Sequence, residues 1–270
     1  MTTASTVRFL DQWRLVAVSE PFQTATSTVQ FVEQQGTPCV LKLAREGSGE
    51  ETSASALLHF AGRGAIRLLA HDGGASLLQR AQPGTPLSRL VVEGQDNEAT
   101  AVICDIIATL HNHEPPTTRF PTIEDWGRGF TSAAASALPA NLVARAAAIY
   151  FEQCNTQTKR VLLHGDLHHD NILSDAKDGW LAIDPKGVYG EAEYEVGAAL
   201  RNPIADKSLF ADIQILDRRL NVFCSRLGWD RDRLLRWCFA QAVLSAIWSI
   251  EDSESPENAL ALAQMTDAMV

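Results

Sequence analysis

The sequence predicts an α+β chain in two lobes: a small antiparallel sheet with one helix over residues 1–81, then a larger, mainly helical part over 82–270. Short apolar runs of strand length, separated by glycine and polar turns, fill the first part. Long alanine-rich stretches with helical spacing fill the second. A third observation lies among those helical stretches. An apolar hairpin at 161–184 carries carboxylates at Asp166 and Asp184 and an amide at Asn171.

Taken in order, residues 13–18 alternate weakly, and 20–27 form a small polar loop without glycine. Residues 28–34 alternate well through Val29 and Phe31, and Gly36 turns the chain. Cys39-Val40-Leu41-Lys42-Leu43 is an apolar strand holding one ammonium. Lys42 between two leucines asks for an anion, because burying an amine strips its hydration. A helix is predicted from about 50 to 61, with Leu57, Leu58 and Phe60 as apolar surface. Glu51 near its start is set to pair with Lys42; Glu50 is the alternative, and an ordinary solvated first-turn acid competes with either. Apolar runs at 65–69 and 76–78 supply two more strands, and Arg80-Ala81-Gln82-Pro83-Gly84 breaks the pattern as a link between lobes.

Residues 97–112 read as a helix with an apolar face through Ala101, Val102, Ile106 and Leu110. It ends in His111-Asn112-His113, and a helix C-terminus that favours cations is the simplest account of those histidines. Residues 123–137 and 141–155 read as a second helical pair. The hairpin follows, turning at Asp178-Gly179. Helices are expected near 193–201, 208–227, 230–251 and 256–269.

The hairpin carries the chemistry. Asp-x-x-x-x-Asn followed by a strand-terminal Asp is the set that phosphoryl transfer of the protein-kinase type requires. Two strand ends of a hairpin lie side by side, so the loop at Asp166 and the tip at Asp184 can face one cavity. Magnesium takes hard oxygens near octahedral geometry, of which Asn171 and Asp184 supply two. Asp166 stays off the metal, to take or orient the proton of an attacking hydroxyl. The expected activity is that of an ATP- and Mg2+-dependent kinase acting on a small molecule. A metal-hydrolase reading competes, because His164, Asp166 and His168 alternate. It needs an imidazole-rich site, leaves Asn171 and Asp184 idle, and matches no zinc spacing.

Composition narrows the partners. Hydrophobic content of 46% and charged content of 21% suit a globular chain, and no apolar run is long enough to cross a membrane. Residues 1–81 carry seven Lys/Arg and seven Asp/Glu; 82–270 carry sixteen and twenty-six, so the net charge of −10 resides in the second part. A nucleic-acid partner is disfavoured, since phosphate backbones demand a basic surface. An acidic second part would draw in a cationic ligand, with solubility as the competing account. Met1 to Arg8 lacks the apolar core of a secretory signal, and five widely spaced cysteines read as buried thiols of a reducing cytoplasm. Composition leaves the oligomeric state open.

With Lys42, Asp166, Asn171 and Asp184 in this order, and glycine at 165 where protein kinases have arginine, the chain resembles the aminoglycoside phosphotransferase family of the protein-kinase-like fold. Gly62-Arg63-Gly64-Ala65-Ile66-Arg67-Leu68-Leu69, Gln79-Arg80-Ala81-Gln82-Pro83-Gly84 and Leu181-Ala182-Ile183-Asp184-Pro185-Lys186-Gly187 resemble its streptomycin 6-kinase and hydroxyurea-resistance subgroup, as does Trp248-Ser249-Ile250-Glu251-Asp252. The resemblance extends from about Trp13 to Asp252.

It implies that Lys42 touches the nucleotide phosphates, that Glu51 holds it, and that Gln79, Arg80 and Ala81 bind adenine through backbone groups. Asp166 would be the catalytic base, Asn171 and Asp184 the magnesium ligands, and Glu195 the acid that ties down the catalytic loop. The implied activity is antibiotic O-phosphorylation, with streptomycin first. A kinase of the same fold acting on another hydroxylated metabolite, or a non-catalytic nucleotide-binding protein, is the alternative. Guanidinium groups of a streptomycin-like acceptor ask for carboxylates in fork geometry. Glu191 and Glu193, and Glu251 and Asp252 at the end of a helix carrying Trp248, are the candidates. The chain departs from regulated kinases in lacking a glycine-rich loop, with Thr24, Thr26 and Ser27 in its place, and in carrying Pro185 after Asp184. Activity is therefore expected without prior phosphorylation.

Overall fold

The computed structural model describes residues 3–45, 47, 52–203 and 212–270. Helix α1 (Thr3–Gln12) precedes strands β1 (Leu15–Ala17), β2 (Phe22–Gln23), β3 (Ser27–Gln34) and β4 (Thr37–Ala44). Helix α2 (Ser53–Phe60) and strands β5 (Leu68–Asp72) and β6 (Ala75–Gln79) follow. The strands form one antiparallel sheet in the order β1-β3-β4-β6-β5, with β2 also paired to β3.

Strand period decides which side each residue serves. Leu41, Leu43, Ala75 and Leu77 point to the outer face and make a small core with Phe9 of α1. Register sets Val29, Lys42 and Ser76 side by side on the opposite face, so Lys42 looks into the molecule. Helix α1 was not anticipated; its contact with the sheet rests largely on Phe9, Leu10 and Trp13. The apolar run at 65–69 is split rather than continuous. Ile66 donates to Ala182 O at 3.0 Å and Gly64 O accepts from Ala182 at 2.9 Å, so strand β5 begins only at Leu68.

Strand β7 (Pro83–Pro86) and helices α3 (Ser88–Val92), α4 (Asp96–Leu110), α5 (Ile123–Trp126) and α6 (Ala140–Asn155) lead to strand β8 (Arg160–Leu163). The expected helix over 123–137 is a single turn, followed by two 3-10 turns. Thr122 and Asp125 cap that turn reciprocally. Gly127 and Gly129 then lie so close to Tyr150 and Leu244 that an added Cβ would collide with both.

The predicted hairpin is present as β9 (Ile172–Asp175) and β10 (Gly179–Ala182), with β7 on its outer edge. Strand β11 (Val188–Glu191) returns antiparallel to β8. Helices α7 (Val196–Leu200), α8 (Ile213–Leu227), α9 (Arg231–Glu251) and α10 (Glu257–Asp267) complete the described chain. Asp212 and Asp230 cap the starts of α8 and α9, and Gly228 ends α8 in the left-handed region that glycine enters without strain. Helix α9 is the central rod. It is buried on most of its faces, with Trp237 fully enclosed, and packs against α6, α7 and α10. Among the described residues no helix is long and apolar enough to cross a membrane.

One buried ion pair fastens these helices. Arg219 of α8 grips Asp96 at the start of α4 through Nη2 at 2.6 Å and Nε at 3.0 Å. Its Nη1 donates to the carbonyls of Ala199, in the last turn of α7, and Asn202, just after it. Removing the carboxylate strands a guanidinium that is 1% exposed. Asp96→Ala is expected to destabilise the fold by about 3–5 kcal/mol. Urea unfolding checks this as a lower midpoint with an unchanged slope.

Candidate active site

Strand β8 ends at Leu163, and the chain enters the loop His164-Gly165-Asp166-Leu167-His168. Gly165 has φ +82°, and a Cβ there would meet Trp126 at 2.8 Å and Val188 at 3.0 Å, so only glycine fits. The buried carboxylate of Glu195 accepts the His164 N–H at 2.7 Å and the Gly165 N–H at 2.9 Å. Its second support is His111 Nε2 at 3.2 Å, so His111 is not merely a cation at a helix end. Burial pushes the Glu195 carboxyl up, but the bond and charge of His111 and the Gly165 N–H outweigh it and hold the group below its ordinary range.

His164 joins the loop to the hairpin. Its Nε2 bonds Ile183 O at 2.7 Å while Nδ1 accepts the Asp166 N–H at 3.3 Å, so the ring is a neutral tautomer with its proton on Nε2. Its imidazole therefore serves as a brace, contrary to the metal-hydrolase reading, and among the described residues no cluster of three His, Cys, Asp or Glu could hold a metal. Asn171 donates Nδ2 to Asp166 O at 2.9 Å, which directs its amide oxygen the other way. Asp184 follows Ile183 at φ +57°, a left-handed conformation that Asp tolerates better than most residues. Its Oδ1 lies 3.0 Å from Lys42 Nζ, an ion pair between residues far apart in the chain that ties the sheet to the segment leaving the hairpin.

Asp166 opens into a cavity of about 710 Å³. Trp126, His168, Lys186, Arg201, Ser245, Trp248, Ser249, Asp252 and Glu254 are among its walls. Of the sequence-predicted acceptor residues, Trp248 and Asp252 line this cavity. Ser245, Trp248, Ser249 and Asp252 follow the i, i+3, i+4, i+7 spacing of one helix face. Glu251 falls off that stripe and faces solvent, so the expectation for it is corrected by helical phase.

Glu191 and Glu193 are corrected as well. Glu191 is fully buried, held by Arg233 Nε at 2.8 Å, Trp237 Nε1 at 2.7 Å and the Thr158 N–H at 3.1 Å. Glu193 is buried nearby, where desolvation pushes its carboxyl up; neither lines the cavity. The missed wall residues Trp126, at the end of the single-turn helix α5, and Glu254, in the coil after α9, belong to segments too short for periodicity to mark them. The signal for Ser245 and Ser249 was the polar stripe on an otherwise apolar helix.

At the link, the Gln79 N–H donates to Arg67 O at 2.9 Å and its side chain bonds Asp178 at 3.1 Å. Arg80 stacks its guanidinium 4.0 Å over the Phe31 ring, and Ala81 is buried. The backbone donor of Gln79 is thus committed within the fold. Glu51 lies outside the described residues.

A cavity-facing carboxylate on a braced loop, an amide and a carboxylate at the neighbouring hairpin, and a lysine reaching over from a small sheet make the architecture of a small-molecule kinase of the protein-kinase-like fold. Comparison with known proteins gives the particular family. The model for aminoglycoside/hydroxyurea antibiotic resistance kinases matches residues 12–253, and the chain belongs to that family. It is 35% identical to streptomycin 3''-kinase of Klebsiella pneumoniae over 96% of this chain and 98% of that one. It is 30% identical to hydroxyurea phosphotransferase of Kitasatospora aureofaciens, over 95% of this chain and 76% of that one. Among solved structures it is similar to a thermostable mutant of aminoglycoside phosphotransferase APH(4)-Ia bound to ADP and hygromycin B. The TM-score is 0.66 at 16% identity, covering 99% of this chain and 98% of that one.

Burial holds His164, and more strongly His169, below the usual imidazole range, so both are neutral in the fold. The unfolded chain takes up these protons as pH falls below about 6.5, while the folded chain resists. Their contribution to stability is therefore present above that pH and lost beneath it. Moving from pH 7.5 to 5.5 should therefore lower stability, measured as a falling urea midpoint.

Proposed function

We propose that this protein transfers the γ-phosphoryl group of ATP to a hydroxyl of streptomycin, with Asp166 as the base. The observation that carries this reading is the position of Asp166 on the wall of a cavity that also has the carboxylates Asp252 and Glu254 in its lining. Asp252 and Glu254 stand there beside Trp248, which meets Trp126 edge to face at 5.5 Å. Carboxylates next to aromatic faces suit guanidinium groups. A cavity of about 710 Å³ has the size of sites for drug-sized molecules, and far exceeds what a urea derivative needs. The 35% identity to a streptomycin 3''-kinase supports the acceptor and makes the 3'' hydroxyl the first position to examine, ahead of the 6 position.

In this mechanism the acceptor oxygen forms a bond to the γ-phosphorus, the bond to the β-bridging oxygen breaks, and the hydroxyl proton passes to the Asp166 carboxylate. Lys42 steadies the phosphates, with Glu51 as its proposed partner. Arg80 and Ala81 offer backbone groups to the adenine, while Gln79 secures the link, which we take as the boundary between lobes at 81/82. The donor set fits a magnesium ion. Asn171 has its amide oxygen turned away from the bond made by Nδ2, and Asp184 would add a carboxylate oxygen. When bound, the ion would offset the negative charge of the phosphates. The chain's own residues do the rest by positioning and by fixed charge.

Incubating the protein with Mg-ATP and streptomycin should add one phosphate group to the drug, read by mass spectrometry. Asp166→Asn should lower kcat by about 100-fold or more. An unchanged mass with wild-type protein that binds ATP would move the acceptor to another hydroxylated molecule. Asp252→Asn should raise the streptomycin KM by about ten-fold, with little change in that for ATP. Equal effects on both substrates would argue against a rim contact.

A further inference from the structure

One imidazole beside the proposed base has a geometry that the mechanism above leaves unused. His168 opens the turn formed by His169–Asn171, and its Nδ1 accepts the Asp170 N–H at 3.2 Å. That bond fixes the tautomer, leaving the ring proton on Nε2. Nε2 stands 3.9 Å from Asp166 Oδ2, and both side chains border the same cavity. Burial lowers the imidazole's proton affinity, helped by Arg201 and His164 against the pull of Asp166 and Asp170. A neutral ring can donate one hydrogen bond to a carboxylate without cancelling its charge. The 3.9 Å separation exceeds a formed hydrogen bond, and such contacts close when substrate loads the site.

We propose that His168 is a positioning residue whose Nε2–H holds Oδ2 of Asp166, turning Oδ1 toward the acceptor hydroxyl. The inference rests on the reading of Asp166 as the base. The proton balance is unchanged: the acceptor's proton goes to Asp166 Oδ1, and the imidazole neither gives nor takes one. His168 then does two separable jobs. Nδ1 caps the following turn, and Nε2 orients the carboxylate. An asparagine side chain can reproduce the first, because its oxygen lies where Nδ1 does. A glutamine side chain can reproduce the second, because its amide N–H reaches about as far as Nε2.

The experiment compares wild type, Asp166→Asn, His168→Asn and His168→Gln in steady-state phosphorylation of streptomycin, with the Tm of each protein recorded. His168→Asn should fold normally and lose about ten- to a hundred-fold in kcat, with both KM values within about two-fold. His168→Gln should regain kcat to within about three-fold of wild type. Full activity in His168→Asn with loss in His168→Gln would make the residue a turn cap and overturn the proposal. So would equal loss of kcat in both variants, or a loss expressed through KM. An active Asp166→Asn would instead overturn the reading of the base, so the two failures are told apart in one series.

Discussion

Taking a carboxylate out of water costs several kcal/mol unless bonds replace its hydration. Glu195 meets that demand with two consecutive backbone N–H groups and one imidazole. Because the N–H groups belong to His164 and Gly165, the carboxylate fixes the peptide planes immediately ahead of Asp166. His164 passes the constraint on to Ile183, one residue before Asp184. Asn171 closes the circuit through Asp166 O, and the Ile183 N–H donates to Asn171 O at 2.8 Å. The loop and the segment leaving the hairpin therefore form one hydrogen-bonded unit centred on a buried charge. Lys42 attaches to that unit from the sheet through Asp184. The sheet contributes a point of contact, and the helical part contributes the rigid frame.

Much of this frame is legible in the sequence because chemistry and periodicity both leave marks. Asp166, Asn171 and Asp184 stand out by their spacing along a hairpin, and the structure links their backbones through His164, Ile183 and Asn171. Strand β3 and the long helices α4 and α6 announce themselves through periods of two and 3.6 residues, β4 through a short apolar run, and α9 and α10 through long alanine- and leucine-rich stretches. Helix α1 does not, because only one stripe of a short segment meets the sheet. The 65–69 run looks like a strand, yet its first residues hydrogen-bond to β10, and pattern alone does not distinguish that contact from a ladder.

The acids show the limit more sharply. Glu191 reads as a free carboxylate until Arg233, far along the chain, is found folded against it. Glu251 and Asp252 are neighbours in sequence but lie about 100° apart around a helix axis. Only a helix phase anchored at Trp248 separates the residue that meets the cavity from the one that meets water. Trp126 and Glu254 reach the cavity from turns, where position depends on everything the turn is packed against.

Helix α9 is divided along its length. Its first turns close around Glu191 through Arg233 and Trp237, while its last turns, half-buried at Ser245, Trp248 and Ser249, border the cavity before the exposed Asp252. The anchored core and the cavity wall thus lie at opposite ends of one rod. Substitutions near the cavity fall where the stability penalty is small, whereas those at the anchored end threaten the whole fold. A lineage under pressure from a new compound can explore the distal turns while staying above its unfolding threshold. The helix that makes the protein sturdy is, at its other end, where it is free to evolve.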